Sequence, residues 1–506
     1  MNRHLLILLF IITTPLTVQA VQCPDPLEAM GEDAWRQAAR IEWRSEGQNF
    51  EPAQTFHPRA EGLHVSDDEL SGIWQPAASE GELMWRLRTH FPFPNVWNYR
   101  EQLAQESLLD GVDGFRPSGE QMTAARRHAR TIRLLQRFPA LLLLEGEFDR
   151  GNNLCLVYVS HPTGNWTFWL NPVGLPKRIM LVENDPLHGE IENIMHYADW
   201  RKHGDVQQAW RLHQEVDTQL IRREKLQHFE LVAAEQPATM NEQARARLGG
   251  ADVPAWAKRR SHWILRRAAA GAPMDTDPAG EVEFLEITPN AYQVIGGSHH
   301  NLALITRSSI VMVGAPWGPR RSNAVIRAVQ QRWPSKPISH LVLTHHHEDH
   351  SGGLMTYVDQ GVTLVLSVPV RHYFATIFAR SDRHTIPNKI VSDEYRLNVI
   401  GDLVELYTIP NSHAEGMLAV YLRKDKLLFV SDLYSPGRDA QHPLWARELL
   451  NAIEWRGLQV DKIVGSHGHG WSDVEALRQF VASTEPAQDN AAETDNDDDE
   501  ASAGND

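Results

Sequence analysis

THHHEDHSGG, residues 344–353, sets four histidines, a glutamate and an aspartate at the consecutive positions 345–350. It follows Ile338, Leu341, Val342 and Leu343, an apolar run of strand length, so the polar groups begin where a strand leaves the core. Such ends suit chemistry, because the strand fixes the backbone while the loop lets side chains converge. In an extended segment His345 and His347, two positions apart, project to one side. Asp349 and His350 fall on the following turn and can face a second position. Ser351-Gly352-Gly353 then permits close backbone approach into the next helix.

Two ligands per metal leave a site incomplete, since zinc takes about four ligands and a catalytic zinc keeps one position open. Three downstream residues can supply the rest, each just past a strand-like run: His413 after DLVELYTIPNS, Asp432 after KLLFVS and His467 after DKIVGS. Any one of them alone reads as an ordinary surface or turn residue; three in succession, each at a strand end, read as a ligand set. His299 and His300, in GGSHHN, are expected to be surface histidines in a loop bordering the site. His346, Glu348 and His469 are expected to point outward or to back up the ligands.

THHHEDHSGG resembles the His-x-His-x-Asp-His motif of the metallo-β-lactamase superfamily. Asn411 to Gly416, Ser431-Asp432-Leu433 and Gly465 to Gly468 are similar to that family's later motifs and stand in its order. The resemblance spans about residues 282–480. It implies an αββα sandwich, two sheets with outer helices, and two metals. His345, His347 and His413 would hold one metal, Asp349, His350 and His467 the second, and Asp432 would bridge them. Aspartate at 432 resembles the branches of glyoxalase II, lactonases and phosphodiesterases rather than the commonest zinc β-lactamases, which carry cysteine there. One departure is Val313-Gly314-Ala315-Pro316, where many members have an acid that supports the site from behind.

Around this domain the 506-residue chain has room for two or three cores. The fold class expected is α/β, the sandwich at 281–482 preceded by a mixed, β-rich domain at 23–235. In that domain MTAARRHARTIRLLQRFP from Met122 has helical periodicity closed by Pro139. LCLVYVS, NWTFWLN, KRIMLVEN and EIENIMHYADW, separated by turn pairs, read as an antiparallel meander. Trp166, Trp169, Tyr197 and Trp200 are expected in its core rather than in a ligand groove. The stretch LNPVGLPKRIMLVENDP resembles the curved-sheet domains of periplasmic lipoprotein carriers. Residues 236–280 are rich in Arg and Lys beside Trp256 and Trp263 and read as a helical connector with a solvated charged face; contact with a membrane surface is the alternative. The stretch 483–506 is an acidic tail with too few apolar residues to order itself.

Residues 1–20 read as a secretory signal, with Arg3 before the apolar run from Leu5 and Val18-Gln19-Ala20 as the cleavage pattern. The expected location is periplasmic or secreted. Gln22 before Cys23 argues against lipidation. Cys23 and Cys155, the only cysteines, are either a disulfide or two partly buried thiols. A formal net charge of −16 excludes a basic nucleic-acid surface, and a mean hydropathy of −0.40 excludes several membrane spans. A small-molecule substrate remains. The expected function is an exported dinuclear hydrolase of an ester, lactone, thioester or related acyl bond. It would use a metal-bridging hydroxide oriented by Asp349, on two zinc ions, with iron or manganese as alternatives. A β-lactam or phosphodiester hydrolase is a second reading, and a periplasmic lipid-binding protein with an accessory metal domain a third.

Overall fold

The computed structural model describes residues 23–91, 94–103, 108–112, 124–150, 155–233, 282–381, 387–391, 394–399, 402–437 and 441–484. The expected signal peptide, the basic connector and the acidic tail beyond residue 484 lie outside these residues. Among the described residues no helix is long and apolar enough to cross a membrane.

The N-terminal half is built on one antiparallel sheet of twelve strands. They are β1 (Ala38–Glu51), β2 (Leu63–Gln75), β3 (Glu80–Thr89), β4 (Asn95–Leu103), β5 (Leu108–Val112), β6 (Glu147–Arg150), β7 (Leu156–His161), β8 (Gly164–Leu170), β9 (Pro176–Asp185), β10 (Gly189–His203), β11 (Val206–Val216) and β12 (Gln219–Ala233). The order β5-β4-β3-β2-β1-β12-β11-β10-β9-β8-β7-β6 joins a first meander to a second through the β1–β12 pairing. The expected meander therefore continues over both halves of the domain. The long strands β1 and β2 alternate buried and exposed positions, so one face of the sheet is apolar. Helices Ala124–Arg137 and Pro139–Glu145 cover that face. Pro139 closes the first helix as expected, and it also opens the second, where its missing N–H costs nothing. Phe138, between them, sits edge-on to Trp43 with centroids 5.1 Å apart, and its truncation to alanine would cost about 3–5 kcal/mol. Trp166, Tyr197 and Trp200 belong to this core, while Trp169 is half-buried under the Arg178 guanidinium. Cys23 and Cys155 form a disulfide across 132 residues.

The C-terminal half is the four-layered sandwich. Its first sheet runs β13 (Glu283–Thr288), β14 (Ala291–Ile295), β15 (Asn301–Ile305), β16 (Ile310–Val313), β17 (Ile338–Val342), β18 (Thr363–Ser367) and β19 (Asn388–Val391) in chain order. The second is β20 (Glu394–Val399), β21 (Asp402–Thr408), β22 (Leu418–Leu422), β23 (Leu427–Phe429) and β24 (Lys462–Val464). Buried on both faces, these strands read as continuous apolar runs. Alternate residues divide between layers. Leu302, Leu304, Val311, Val313 and Val342 meet Leu406, Val420, Phe429 and Val464 between the sheets. Ala303, Ile310 and Met312 face helix Pro319–Arg332 on one side. On the other, Tyr407, Ala419 and Leu428 face helices Pro443–Trp455 and Val474–Ser483.

A candidate metal centre

The functional side chains stand at the ends of β17, β21, β23 and β24, where the two sheets open on one edge. His345 follows β17, and its Nδ1 lies 3.0 Å from Thr344 Oγ1. His347 precedes the single turn Glu348–Ser351, which places Asp349 and His350 on the next face. Asn411 caps the turn that presents His413, its Oδ1 accepting from the His413 and Ala414 N–H groups at 2.9 and 2.8 Å. Asp432 follows Ser431, which has φ +51°, an unfavourable conformation for a non-glycine residue. A hydroxyl chain from Thr344 through Ser431 to Ser466, at 3.1 and 2.8 Å, ties three of these strand ends together.

The seven residues singled out from the sequence fall in one place, although not all in one way. Ligand atoms of His345, His347 and His413 lie within 4.8 Å of one another, as do those of His345, His350 and Asp432. Asp432 is the hub: its Oδ2 lies 3.0 Å from His350 Nε2, 3.2 Å from His413 Nε2 and 3.9 Å from His345 Nε2, and its Oδ1 lies 3.4 Å from His467 Nε2. His467 Nδ1–H donates to Ser298 O, 2.7 Å away, which turns Nε2 inward. Asp349 belongs to none of these groups among the described residues. Its Oδ1 accepts from Gln54 Nε2 at 2.6 Å and its Oδ2 lies 3.2 Å from His299 Nε2.

Whether this donor set fits metal can be judged from the buried atoms that crowd together without making a well-formed hydrogen bond. They include His345 Nε2, His347 Nδ1, His350 Nε2, His413 Nε2 and Asp432 Oδ1. Buried polar atoms are nearly always hydrogen-bonded. Five converging exceptions, four imidazole nitrogens and a carboxylate oxygen, are the donors that zinc, iron or manganese accept, so the residues fit. The electrostatics agree. Burial, reinforced by the neighbouring His350 and His347, pushes His345 well below the ordinary histidine range, and burial with His413 does the same to His347; both stay neutral with a lone pair to give. Burial would raise Asp432 and Asp349, but His350 above all holds both carboxyls well below their usual range. Burial would lower His350, yet Asp432 and Asp349 raise it.

One expectation needs correction. His299 and His300 are buried, 6% and 3% exposed, rather than surface residues. His299 packs against His467, His350 and Trp317 with centroids 4.1, 4.8 and 4.8 Å away, and burial followed by His467 lowers it to about 3. Its ligand atom also lies within 4.8 Å of those of His350 and His467. His346 is buried as well, with Nε2 2.9 Å from Thr55 O, while Glu348 meets His188 at 2.8 Å and His469 is exposed. Gln54 and Thr55 belong to the N-terminal domain and carried no signal in the sequence. At the departure from the family pattern, Gly314 adopts φ +77°, and the backbone does the supporting: Ala315 N–H donates to His350 O at 2.8 Å and Trp317 N–H to Asp349 O at 3.2 Å.

Residues 304–467 match the family model described as the metallo-beta-lactamase superfamily. Over 203 residues the chain is 27% identical to the 2,4-dinitroanisole O-demethylase subunit alpha of Nocardioides sp. (strain JS1661). That alignment covers 38% of this chain, which spans 58% of the length of that curated relative. Among solved structures, DIM-1 metallo-beta-lactamase is 19% identical with a TM-score of 0.34, covering 40% of this chain and 96% of that one. The metallo-beta-lactamase from Pontibacter korlensis is 22% identical with a TM-score of 0.32, covering 40% and 98%. With its motifs gathered at one edge of an αββα sandwich, the chain carries across residues 304–467 a domain of the metallo-beta-lactamase superfamily.

Proposed function

We propose that the protein is an exported dinuclear metallo-hydrolase acting on an ester, lactone, thioester or related acyl bond. The observation that carries the reading is Asp432 lying between the imidazoles of His345 and His413 on one side and His350 and His467 on the other. In this reading His345, His347 and His413 would hold one metal, His350 and His467 with Asp349 the second, and Asp432 would serve both. Divalent metals at such a site supply Lewis acidity and a water nucleophilic at neutral pH. The chain's own residues do the rest. Asp349 keeps its charge beside His350 and His299, and the lone pairs not taken by Gln54 and His299 would orient the attacking water. Ser298 O and Thr344 Oγ1 hold His467 and His345 through their outer nitrogens, which fixes both rings. Export is supported by the Cys23–Cys155 disulfide, which suits an oxidising compartment. The apolar face of the N-terminal sheet is covered by its own helices, which favours an enzyme with a platform domain over a carrier.

Elemental analysis of purified full-length protein, paired with a panel of lactones, thioesters, esters, β-lactams and phosphodiesters, tests the reading. The relative's printed name adds 2,4-dinitroanisole to that panel. Two metals per chain and acyl hydrolysis lost in His347→Ala and Asp349→Ala support it. Metal-free protein, or variants as active as wild type, sink it.

A further inference from the structure

The geometry points to the connection between β1 and β2 as a built part of the metal centre: Gln54 positions Asp349, and the Thr55 carbonyl positions His347. The inference rests on the proposal that these two residues serve the metals. The connection begins with a short 3-10 turn, Pro52–Gln54, capped by the Glu51 carboxylate, which accepts from Ala53 N–H. Thr55 Oγ1 lies 3.0 Å from Pro52 O and 2.7 Å from His57 O and shares its one proton between these carbonyls, which pins the strap at Thr55. Beyond it, Glu415 N–H donates to Phe56 O at 2.9 Å and the Glu415 carboxylate meets His57 Nδ1 at 2.8 Å. Glu415 is two residues from His413, so the strap is fastened to the turn that carries a candidate ligand.

Where the strap crosses the centre, it makes three polar contacts. Gln54, 7% exposed, donates its amide N–H to Asp349 Oδ1 at 2.6 Å, leaving Oδ2 to face His299. Thr55 O accepts from His347 Nε2 at 3.0 Å and from His346 Nε2 at 2.9 Å, one for each of its lone pairs. A proton on His347 Nε2 fixes the tautomer, so the lone pair sits on Nδ1, the atom that has no protein partner. Groups that hold the far side of a metal ligand typically govern metal affinity by about 10- to 100-fold. In this protein those groups for His347 and Asp349 come from a different domain, 295 residues away in sequence for the Gln54 to Asp349 bond. Metal retention therefore depends on the N-terminal domain.

The test uses full-length protein loaded with cobalt(II), whose visible absorption reports ligand geometry, and follows transfer of the metal to a colorimetric chelator. Gln54→Ala removes the amide; Gln54→Asn keeps it but falls short of Asp349; Thr55→Val removes the hydroxyl that pins the strap and leaves the carbonyl in place. Far-UV circular dichroism selects the folded variants. The expected result is metal release about 10- to 100-fold faster than wild type, with an altered cobalt spectrum, in both Gln54 variants and a smaller change of the same sign in Thr55→Val. Full cobalt uptake with wild-type spectrum and release in the folded variants overturns the role of the strap alone. A wild type that takes up no cobalt overturns the metal reading and the strap with it.

Discussion

At Asp432 a single carboxylate faces four imidazoles, and its place there has a measurable consequence. His350 is raised because Asp432 and Asp349 outweigh the effect of burial, so removing Asp432 leaves a buried ring without its counter-charge and any metals without their common ligand. Since groups behind a ligand already cost about 10- to 100-fold in metal affinity, Asp432→Ala should cost at least about 100-fold, read as metal lost on dialysis against a chelator. Retention of two metals through that dialysis would remove Asp432 from the proposed role. The seven motif residues were legible in the sequence because metal donors must be particular side chains at particular spacings. Gln54 and Thr55 were not: an amide and a backbone carbonyl impose no residue pattern, and nothing in PAQTFHP points to a partner in another domain. His299 and His300 depart from the sequence expectation for a related reason, since a histidine pair in a glycine-rich loop looks like surface until the β24 end folds over it and His300 N–H donates to Ser466 O.

Elements, rather than residues, explain why the turn after the histidines ends in two glycines. Gly352 has ordinary helical dihedrals, so its need is for space: a Cβ would stand 2.0 Å from Trp317 O and 2.7 Å from Glu348 O, both backbone atoms. Gly352→Ala must push the Pro316–Gly318 turn off the site, at a cost of about 1–3 kcal/mol, visible as a lower melting temperature and reduced metal content. An unchanged melt would show that this turn yields freely. The close approach was legible in Ser351-Gly352-Gly353, while its partner was not, because the turn at 316–318 is distant in sequence. On the N-terminal side, helix Ala124–Arg137 docks on its sheet through buried charge as well as through Ile132, Leu134 and Leu135. Arg137 makes two bonds to Glu224, at 2.7 and 2.6 Å, and Arg222 joins Glu224 at 2.8 Å to Asp68 at 2.6 Å, all buried. Burial would raise Glu224, but Arg137 and Arg222 hold it far below its ordinary 4.5. A depressed carboxylate contributes stability above the unfolded value and loses it as pH falls, so the contribution is intact above about pH 4.5 and declines below. Glu224→Gln, which strands buried guanidinium charge, should cost about 3–5 kcal/mol near neutrality. Thermal melts should show that gap narrowing below about pH 4.5; a pH-independent gap would deny the charge its part.

Across the whole molecule the cores are separate while the polar contacts cross between them. One apolar cluster fills the N-terminal sheet and its helices, and the others fill the sandwich; among the described residues of the N-terminal strands' connections, Leu187 alone packs into a C-terminal cluster. Among the described residues the crossing contacts include Gln54 to Asp349, Thr55 to His346 and His347, Phe56 and His57 to Glu415, His188 to Glu348 and Arg380 to Asp217 at 2.6 Å. Separate cores with a polar seam should unfold in separate steps, because loss of one leaves the apolar burial of the other intact. The disulfide lies wholly in the N-terminal half and closes a loop of about 130 residues, which in the chain-entropy account stabilises it by about 4–5 kcal/mol. Replacing both cysteines, as Cys23→Ser with Cys155→Ser, should therefore lower the N-terminal transition in calorimetry and leave the sandwich transition in place. Because the strap is anchored to β1 and β2, metal release should accelerate at the lowered first transition, before the sandwich melts. Two transitions that shift together would mean that the seam couples the domains into one cooperative unit, and metal release confined to the second would mean that the sandwich holds its metals without help.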